Sequence, residues 1–378
     1  MPKTIRPVVD EKTKKLNKIY AVVGNVTKVI KKVYAVVGGI TKLVWSDIKG
    51  LLKKSEKTAS NLNEGRYNLA AITLGNYALF GGGIQYASGY KIYSIVDVYN
   101  TSLTRQASLL SLSHGAEYLA ATSTNNYALF SGEGFETSYY NTIDAFDKFL
   151  VKSTPSVLSS ARYHVCASSF KDYALFASGY NGTYSNLIDI YDDLLTHIEI
   201  NYLSEARAKC SSTSNDNYVL FAGAYKSDGY SSMYKKVDVL DSSFTLSVAE
   251  NLSTESHCVY ATATINDYMI FGGGRDSGSN SKVDAYDNNL VKYILEDLST
   301  AYNPTATTLG NYVLFGFGKI VESYDDSLTK TDIFDLSVTR NNLSATTLGN
   351  YALFVGGYYI DSNLKRKYNL TIDVYELY

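Results

Sequence analysis

The sequence predicts an all-β chain, a seven-bladed β-propeller preceded by a short N-terminal β-hairpin segment. Three observations predict it. A Tyr-x-Leu/Ile-Phe string recurs seven times, beginning at Tyr77, Tyr127, Tyr173, Tyr218, Tyr268, Tyr312 and Tyr351. Its spacing of 39 to 50 residues is the length of a four-stranded blade. The 378 residues include 35 Tyr and 27 Gly but only 4 Pro, a mix that suits strands and turns and excludes disordered, collagen-like and coiled-coil chains.

Each copy has the same order of parts. A Leu-Ser/Asn pair opens it, at Leu62, Leu112, Leu158, Leu203, Leu252, Leu298 and Leu336. Four residues later stands Arg66, Arg162, Arg207 or Arg340 in four copies, and Ala116, Ser256 or Tyr302 in the other three. A run of small and β-branched residues such as Ala70-Ala71-Ile72-Thr73 predicts strand a. A two-residue turn follows, for example Gly75-Asn76 or Asp216-Asn217. Gly, Asn and Asp tolerate the positive φ of tight hairpins. The Tyr-x-Leu-Phe string is strand b, apolar throughout and so buried on both faces. Small residues end it, as at Gly81-Gly82 and Gly356-Gly357, where backbones can approach closely. Strand c carries an acid at one position in all seven copies: Asp97, Asp144, Asp189, Asp238, Asp284, Glu322 and Asp373. An acid repeated in every blade reads as structural, holding a turn or a neighbouring backbone.

A strand d follows in six copies, and the seventh reaches Tyr378 after strand c. Residues 51–57 have the pattern of a strand d and are expected to complete the seventh blade, closing the ring and removing its free edge. The expected division is a flexible basic arm over 1–17, a tandem hairpin segment over 18–49 and the propeller over 50–378.

The hairpin segment is a duplication. KIYAVVGNVTKVIK (18–31) is followed by KVYAVVGGITKLVW (32–45), each a β run, a Gly-Asn or Gly-Gly turn and a second β run. Hairpins this small need a partner. The net charge of -2 conceals a segregation: residues 1–57 hold 14 Lys/Arg against 4 Asp/Glu, and residues 58–378 hold 21 against 33. A basic segment on an acidic body points to an acidic partner surface for the segment, and its expected attachment residues are Tyr20, Lys28, Lys31, Lys32, Tyr34, Lys42 and Trp45.

The blade pattern resembles the kelch repeat, with an Arg before strand a, small residues ending strand b and acid-x-Tyr-Asp/Asn ending strand c. The resemblance covers about residues 50–378. It departs in lacking the Trp of strand d, and its diglycine is incomplete. The hairpin duplication resembles short repeats in tail-associated and other structural proteins of phages and prophages of Gram-positive bacteria. That resemblance implies a virion or phage-tail-like particle, assembled in the bacterial host cytoplasm, in which this chain is oligomeric and meets other virion proteins through its N-terminal segment.

The a–b turns are uniformly short, whereas the b–c loops vary in length, and variable loops on a fixed scaffold are where binding concentrates. They are rich in aromatic residues: Tyr86, Tyr90 and Tyr93; Phe135, Tyr139 and Tyr140; Tyr180 and Tyr184; Tyr225, Tyr230 and Tyr234; Tyr358, Tyr359 and Tyr368. Gly, Ser and Asn lie between them, the chemistry of antibody binding loops. The expectation is a non-enzymatic protein whose loops bind a host-surface glycan or protein. The alternatives are loop-on-loop packing, and a capsid or tail decoration or assembly protein whose loops touch neighbouring subunits.

No catalytic site, metal or cofactor is expected. The chain has no Gly-x-Ser-x-Gly, phosphate loop or Cys-x-x-Cys. His114, His164 and His257 stand near Cys166 and Cys258, but without repeated metal-ligand spacing. With Cys210 the cysteines number three, and they are expected to be buried thiols rather than a disulfide framework. The acidic body argues against nucleic acid there. No apolar run is long enough to span a bilayer, and Met1 to Lys15 lacks a secretory apolar stretch.

Overall fold

Seven equivalent hairpins carry the fold, each turned by its Gly, Asn, Asp or Lys pair. The structure is a computed structural model. It describes the backbone of residues 5–9, 16–23, 26–30, 32–37 and 40–46, and residues 52–377 apart from 87–88, 108–109, 133, 136–137, 225–233, 255–260, 275–279 and 300–302. All of its regular structure is β. The chain divides into two units, 1–51 with Tyr378, and 52–377.

In the first unit, β1 (Ile5–Val9), β2 (Leu16–Val23) and β3 (Val26–Ile30) form an antiparallel sheet, and β4 (Lys32–Val37) pairs with β5 (Ile40–Ser46). The two duplicated segments are thus two hairpins. Tyr20 faces Val29 in register, Lys28 faces Ala21, Tyr34 faces Leu43, Lys42 faces Ala35, Lys32 faces Ser46 and Trp45 faces Val33. Lys31 lies outside the described residues. Within 1–17, read from sequence as an arm, Ile5–Val9 pairs with β2, Ile5 opposite Ala21.

The second unit is a seven-bladed propeller. Strands a are Ala70–Leu74, Ala120–Ser123, Cys166–Phe170, Ser211–Ser214, Ala261–Ile265, Thr305–Leu309 and Ser344–Leu348. Strands b are Tyr77–Gly81, Tyr127–Ser131, Tyr173–Ala177, Tyr218–Ala222, Tyr268–Gly272 and Tyr351–Val355. In blade 6 the single extended run Tyr312–Asp325 serves as b and c. Strands c of the others are Ile95–Asn100, Asp144–Asp147, Ser185–Tyr191, Val237–Asp241, Val283–Tyr286 and Ile372–Leu377. Strands d of blades 1 to 6 lie outside strand c, and the outer strand of blade 7 is Leu52–Lys54, with Tyr375 opposite Lys54. Each strand a contacts the strands a on both sides, and the seventh contacts the first.

Strand b is the core: Ala78, Leu79 and Phe80, like their counterparts in every blade, are fully buried. The strand-b Phe packs edge-on against the strand-c aromatic in six blades, at 5.8 Å for Phe80–Tyr99 and 5.5 Å for Phe354–Tyr375. Leu240 replaces that aromatic in blade 4.

The fourth residue of every strand a is Ser or Thr, and these hydroxyls stitch the blades together. Thr73 donates to the Thr347 carbonyl (2.7 Å), Thr308 to Thr264 (2.7 Å), Thr264 to Ser214 (2.6 Å), Thr347 to Thr308 and Ser214 to Ser169. Five blades therefore each bond to the preceding one, with a net contribution of about 1 kcal/mol per bond.

The seven strand-c acids are buried. Each accepts from the backbone N–H of the Ser or Asn that follows the opening Leu: Asn63, Ser113, Ser159, Ser204, Ser253, Ser299 and Ser337. A buried carboxylate also needs a cation. In blades 1, 3, 4 and 7 the fully buried arginines supply it, Arg66 to Asp97 (2.8 Å), Arg162 to Asp189, Arg207 to Asp238 (2.7 Å) and Arg340 to Asp373. A second source is the outer-strand residue opposite the residue two after the acid. This position places Lys152 2.8 Å from Asp144, Lys292 3.7 Å from Asp284 and Lys330 3.2 Å from Glu322 in the three blades without Arg. It also places Arg105, His197 and Lys54 beside Asp97, Asp189 and Asp373.

Six c–d turns share another device that the sequence reading passed over. In the turn from Asp241, the Asp241 carboxylate accepts the N–H groups of Ser243 and Thr245 (2.8 and 2.9 Å), while Phe244 takes φ 59°. Leu103, Leu150, Leu195, Leu290 and Leu328 hold the same left-handed position. That backbone costs an L-residue on the order of 1 kcal/mol, offset here by the side-chain acceptor.

Candidate binding face

The segments entering strands a and the b–c loops meet on one face. Backbone bridges join Tyr67 to Ile84, Glu117 to Gly134, Tyr163 to Tyr180 and Asn341 to Tyr358. Glycine makes this approach possible. At Gly82 (φ 67°) a Cβ would lie 2.7 Å from the Leu119 side chain and 2.8 Å from the Ala116 carbonyl. Gly356 (φ 68°) is similarly pressed against the Arg66 carbonyl.

Two residues before strand a, in the six blades where that residue is described, the chain turns through the left-handed region, at Asn68, Tyr118, His164, Lys209, Asn303 and Asn342 (φ 49–58°). These six side chains ring the mouth of the central channel and line a cavity of about 430 Å³. The His164 ring lies 4.7 Å from that of Tyr118 and 4.1 Å from that of Tyr163. Burial, and then Lys209, hold its pKa well below the ordinary value, so His164 is neutral at physiological pH.

The loop tyrosines gather into two clusters around this mouth. At the junction of blades 7 and 1, Tyr67 stacks on Tyr368 (6.0 Å) and meets Tyr358 edge-on (5.0 Å), with the Arg366 guanidinium 4.3 Å from the Tyr358 ring centre. The Tyr368 hydroxyl receives the Tyr86 N–H (2.6 Å), and Tyr86 packs on Tyr90 (4.8 Å). Desolvation raises the Tyr67 pKa to about 12, against the opposing effect of Arg366. In blades 2 and 3, Tyr139 stacks on Tyr163 (5.1 Å), Tyr163 meets Tyr180 edge-on (5.9 Å), Tyr180 packs on Tyr184 (5.0 Å), and Tyr140 stacks on His114 (3.9 Å).

Tyr86 and Tyr90 are 48% and 52% exposed, whereas Tyr93 is buried with 4% exposure. Tyr234 packs against the core, and Tyr359 is half-buried. Tyr225 and Tyr230, and the side chain of Phe135, lie outside the described residues. Tyr67, Tyr163 and Tyr118, central to the clusters and the rim, were missing from the sequence-based candidates. Their signal was position: Tyr67 and Tyr163 follow Arg66 and Arg162 directly, and Tyr118 lies two residues after the same slot in blade 2.

The cysteine expectation is corrected. Cys166 and Cys210 are joined in a disulfide, with Cα atoms 5.8 Å apart. Their separation of 44 residues is close to one blade, which sets them side by side on neighbouring blades at the cavity wall. Counting close pairs along the chain misses such a bond. His257 and Cys258 lie outside the described residues. Among the described residues no group of three or more His, Cys, Asp or Glu is placed to hold a metal, and no helix is long and apolar enough to cross a membrane. No protein-family profile matches the chain, and no curated protein is similar to it.

Proposed function

We propose that the chain is a non-enzymatic attachment protein of a phage or phage-tail-like particle. Its propeller binds a glycan or protein on the host surface through the b–c loop face, and its basic N-terminal hairpins join it to the particle. The observation that carries the binding half is the pair of interlocked aromatic clusters on the face where the cavity opens. Rings held by one another, with Tyr86 and Tyr90 half-exposed, lose little freedom when a partner covers them. The attachment half rests on the hairpin duplication and the excess of basic residues before position 58.

The test is binding of the full chain to Gram-positive cells and their purified wall glycans. Wild type is expected to bind, and Tyr86→Ala with Tyr90→Ala to bind about tenfold more weakly, a loss of roughly 1.4 kcal/mol. Absence of binding by the folded wild type contradicts the proposal. A second reading, a decoration or assembly protein, draws on the opposite face, where Phe149 and Leu194 in the c–d turns of adjacent blades are 87% and 85% exposed. Imaging of the particle separates the two: a neighbouring subunit covering those turns, with the loop face buried as well, favours the second.

A further inference from the structure

Three of the six left-handed residues on the channel rim are asparagines, and they are consecutive around the ring: Asn303 before blade 6, Asn342 before blade 7 and Asn68 before blade 1. Their amides form a chain across three blade boundaries. Asn303 Nδ2 donates to Asn342 Oδ1 (3.0 Å), Asn342 Nδ2 to Asn68 Oδ1 (2.8 Å), and Asn68 Nδ2 to Glu117 Oε2 (3.2 Å). An ionised carboxylate only accepts. The last bond therefore fixes which way the Asn68 amide faces, and each bond fixes the amide before it.

An amide has two N–H donors and two acceptor lone pairs. The chain uses one donor on each Asn and one acceptor on Asn342 and Asn68. Among the described residues no second partner takes the remaining N–H and lone pair of each amide, and Asn68, Asn303 and Asn342 all line the cavity. The backbone does not require this. Asn suits the left-handed region, yet Tyr118, His164 and Lys209 hold the same conformation at the same place in the next three blades. The amides are thus a chemical feature of one arc of the rim rather than a condition of folding.

We propose that this arc is a monosaccharide-binding site. Adjacent donor and acceptor groups on the oriented amides match vicinal hydroxyls of a neutral pyranose, the end of a glycan. Tyr118, the next rim residue and 42% exposed, offers its ring to the sugar's apolar face. The volume of about 430 Å³ lies in the range of small-ligand sites. The inference rests on the loop face being the binding surface.

The test uses the full chain and a panel of methyl glycosides of glucose, galactose, mannose, N-acetylglucosamine and N-acetylgalactosamine, read by saturation-transfer NMR and calorimetry. At least one is expected to bind with Kd of about 1 mM or tighter. Asn303→Gly with Asn342→Gly removes two amides while keeping residues that adopt positive φ freely, and is expected to weaken binding at least about tenfold in a propeller that still folds, with melting lowered by the two lost inter-blade bonds. Tyr118→Gly, the second variant should the first fail to fold, is expected to weaken it severalfold. Silence of the whole panel overturns the site, as does a folded variant that binds as wild type does. Cell binding by wild type and variant alike, with the panel silent, overturns the site and leaves the attachment reading standing. Amide-dependent sugar binding without cell binding supports the site and overturns the host-surface reading.

Discussion

Blades 4 and 5 stand side by side and neutralise the same buried acid from opposite edges of the sheet. In blade 4 the cation is Arg207, fully buried, on the segment entering strand a. In blade 5 that slot is Ser256, and Lys292 of the outer strand lies near Asp284. The outer-strand position holds Lys or Arg in five blades and His197 in blade 3, and the exception is Leu246 in blade 4, opposite Leu240. A buried carboxylate that binds the preceding loop is the fixed requirement, and the edge that supplies its counter-charge is free to vary.

The comparison orders the expected losses. Arg207→Met is the largest. Asp238 has no second cation among the described residues, and a buried charge left unpaired costs about 3–5 kcal/mol, read by chemical denaturation. Lys330→Met in blade 6 comes next, at about 2–3 kcal/mol, because Glu322 is fully buried and Lys330 is nearly so. Arg162→Met sharpens the same point through acid. Burial alone would raise the Asp189 pKa, but Arg162 and the Ser159 N–H hold it below the ordinary value. Its contribution is therefore complete above the unfolded carboxylate range and is lost as pH falls through the lower folded value. Removing Arg162 is expected to move the acid-unfolding midpoint to higher pH. Lys54→Met is the smallest, at about 1 kcal/mol or less, because Lys54 is 39% exposed and Asp373 keeps Arg340. A loss above that size would mean that Lys54 does more in blade 7 than share an acid.

The ring itself was legible from residues. Seven Tyr-x-Leu/Ile-Phe strings set the blade count, and the recurrence of one acid marked it as structural. The second basic residue was harder to see because strand d has no motif of its own. It stands eight residues after each acid, at Arg105, Lys152, His197, Lys292 and Lys330, and only register gives that spacing meaning. In blade 7 no spacing exists, since Lys54 lies more than 300 residues before Asp373. The loop face was legible in composition but not in the direction of its rings. Tyr93 turns inward while Tyr90, three residues earlier, stays half-exposed: Tyr90 pairs with Tyr86 in a short hairpin, whereas the Tyr93 N–H donates to the Gly83 carbonyl. The amide chain of Asn303, Asn342 and Asn68 joins residues up to 274 apart, and adjacency around a ring is invisible along a chain.

The most direct measurement moves the cation within one blade. Leu246→Lys places a lysine at the register position that Lys152, Lys292 and Lys330 occupy in their blades. In the Arg207→Met background it is expected to restore at least about half of the lost stability, because Asp238 regains a cation from the other edge. No recovery, in a double variant whose propeller still folds, would contradict the claim that either edge can neutralise the acid.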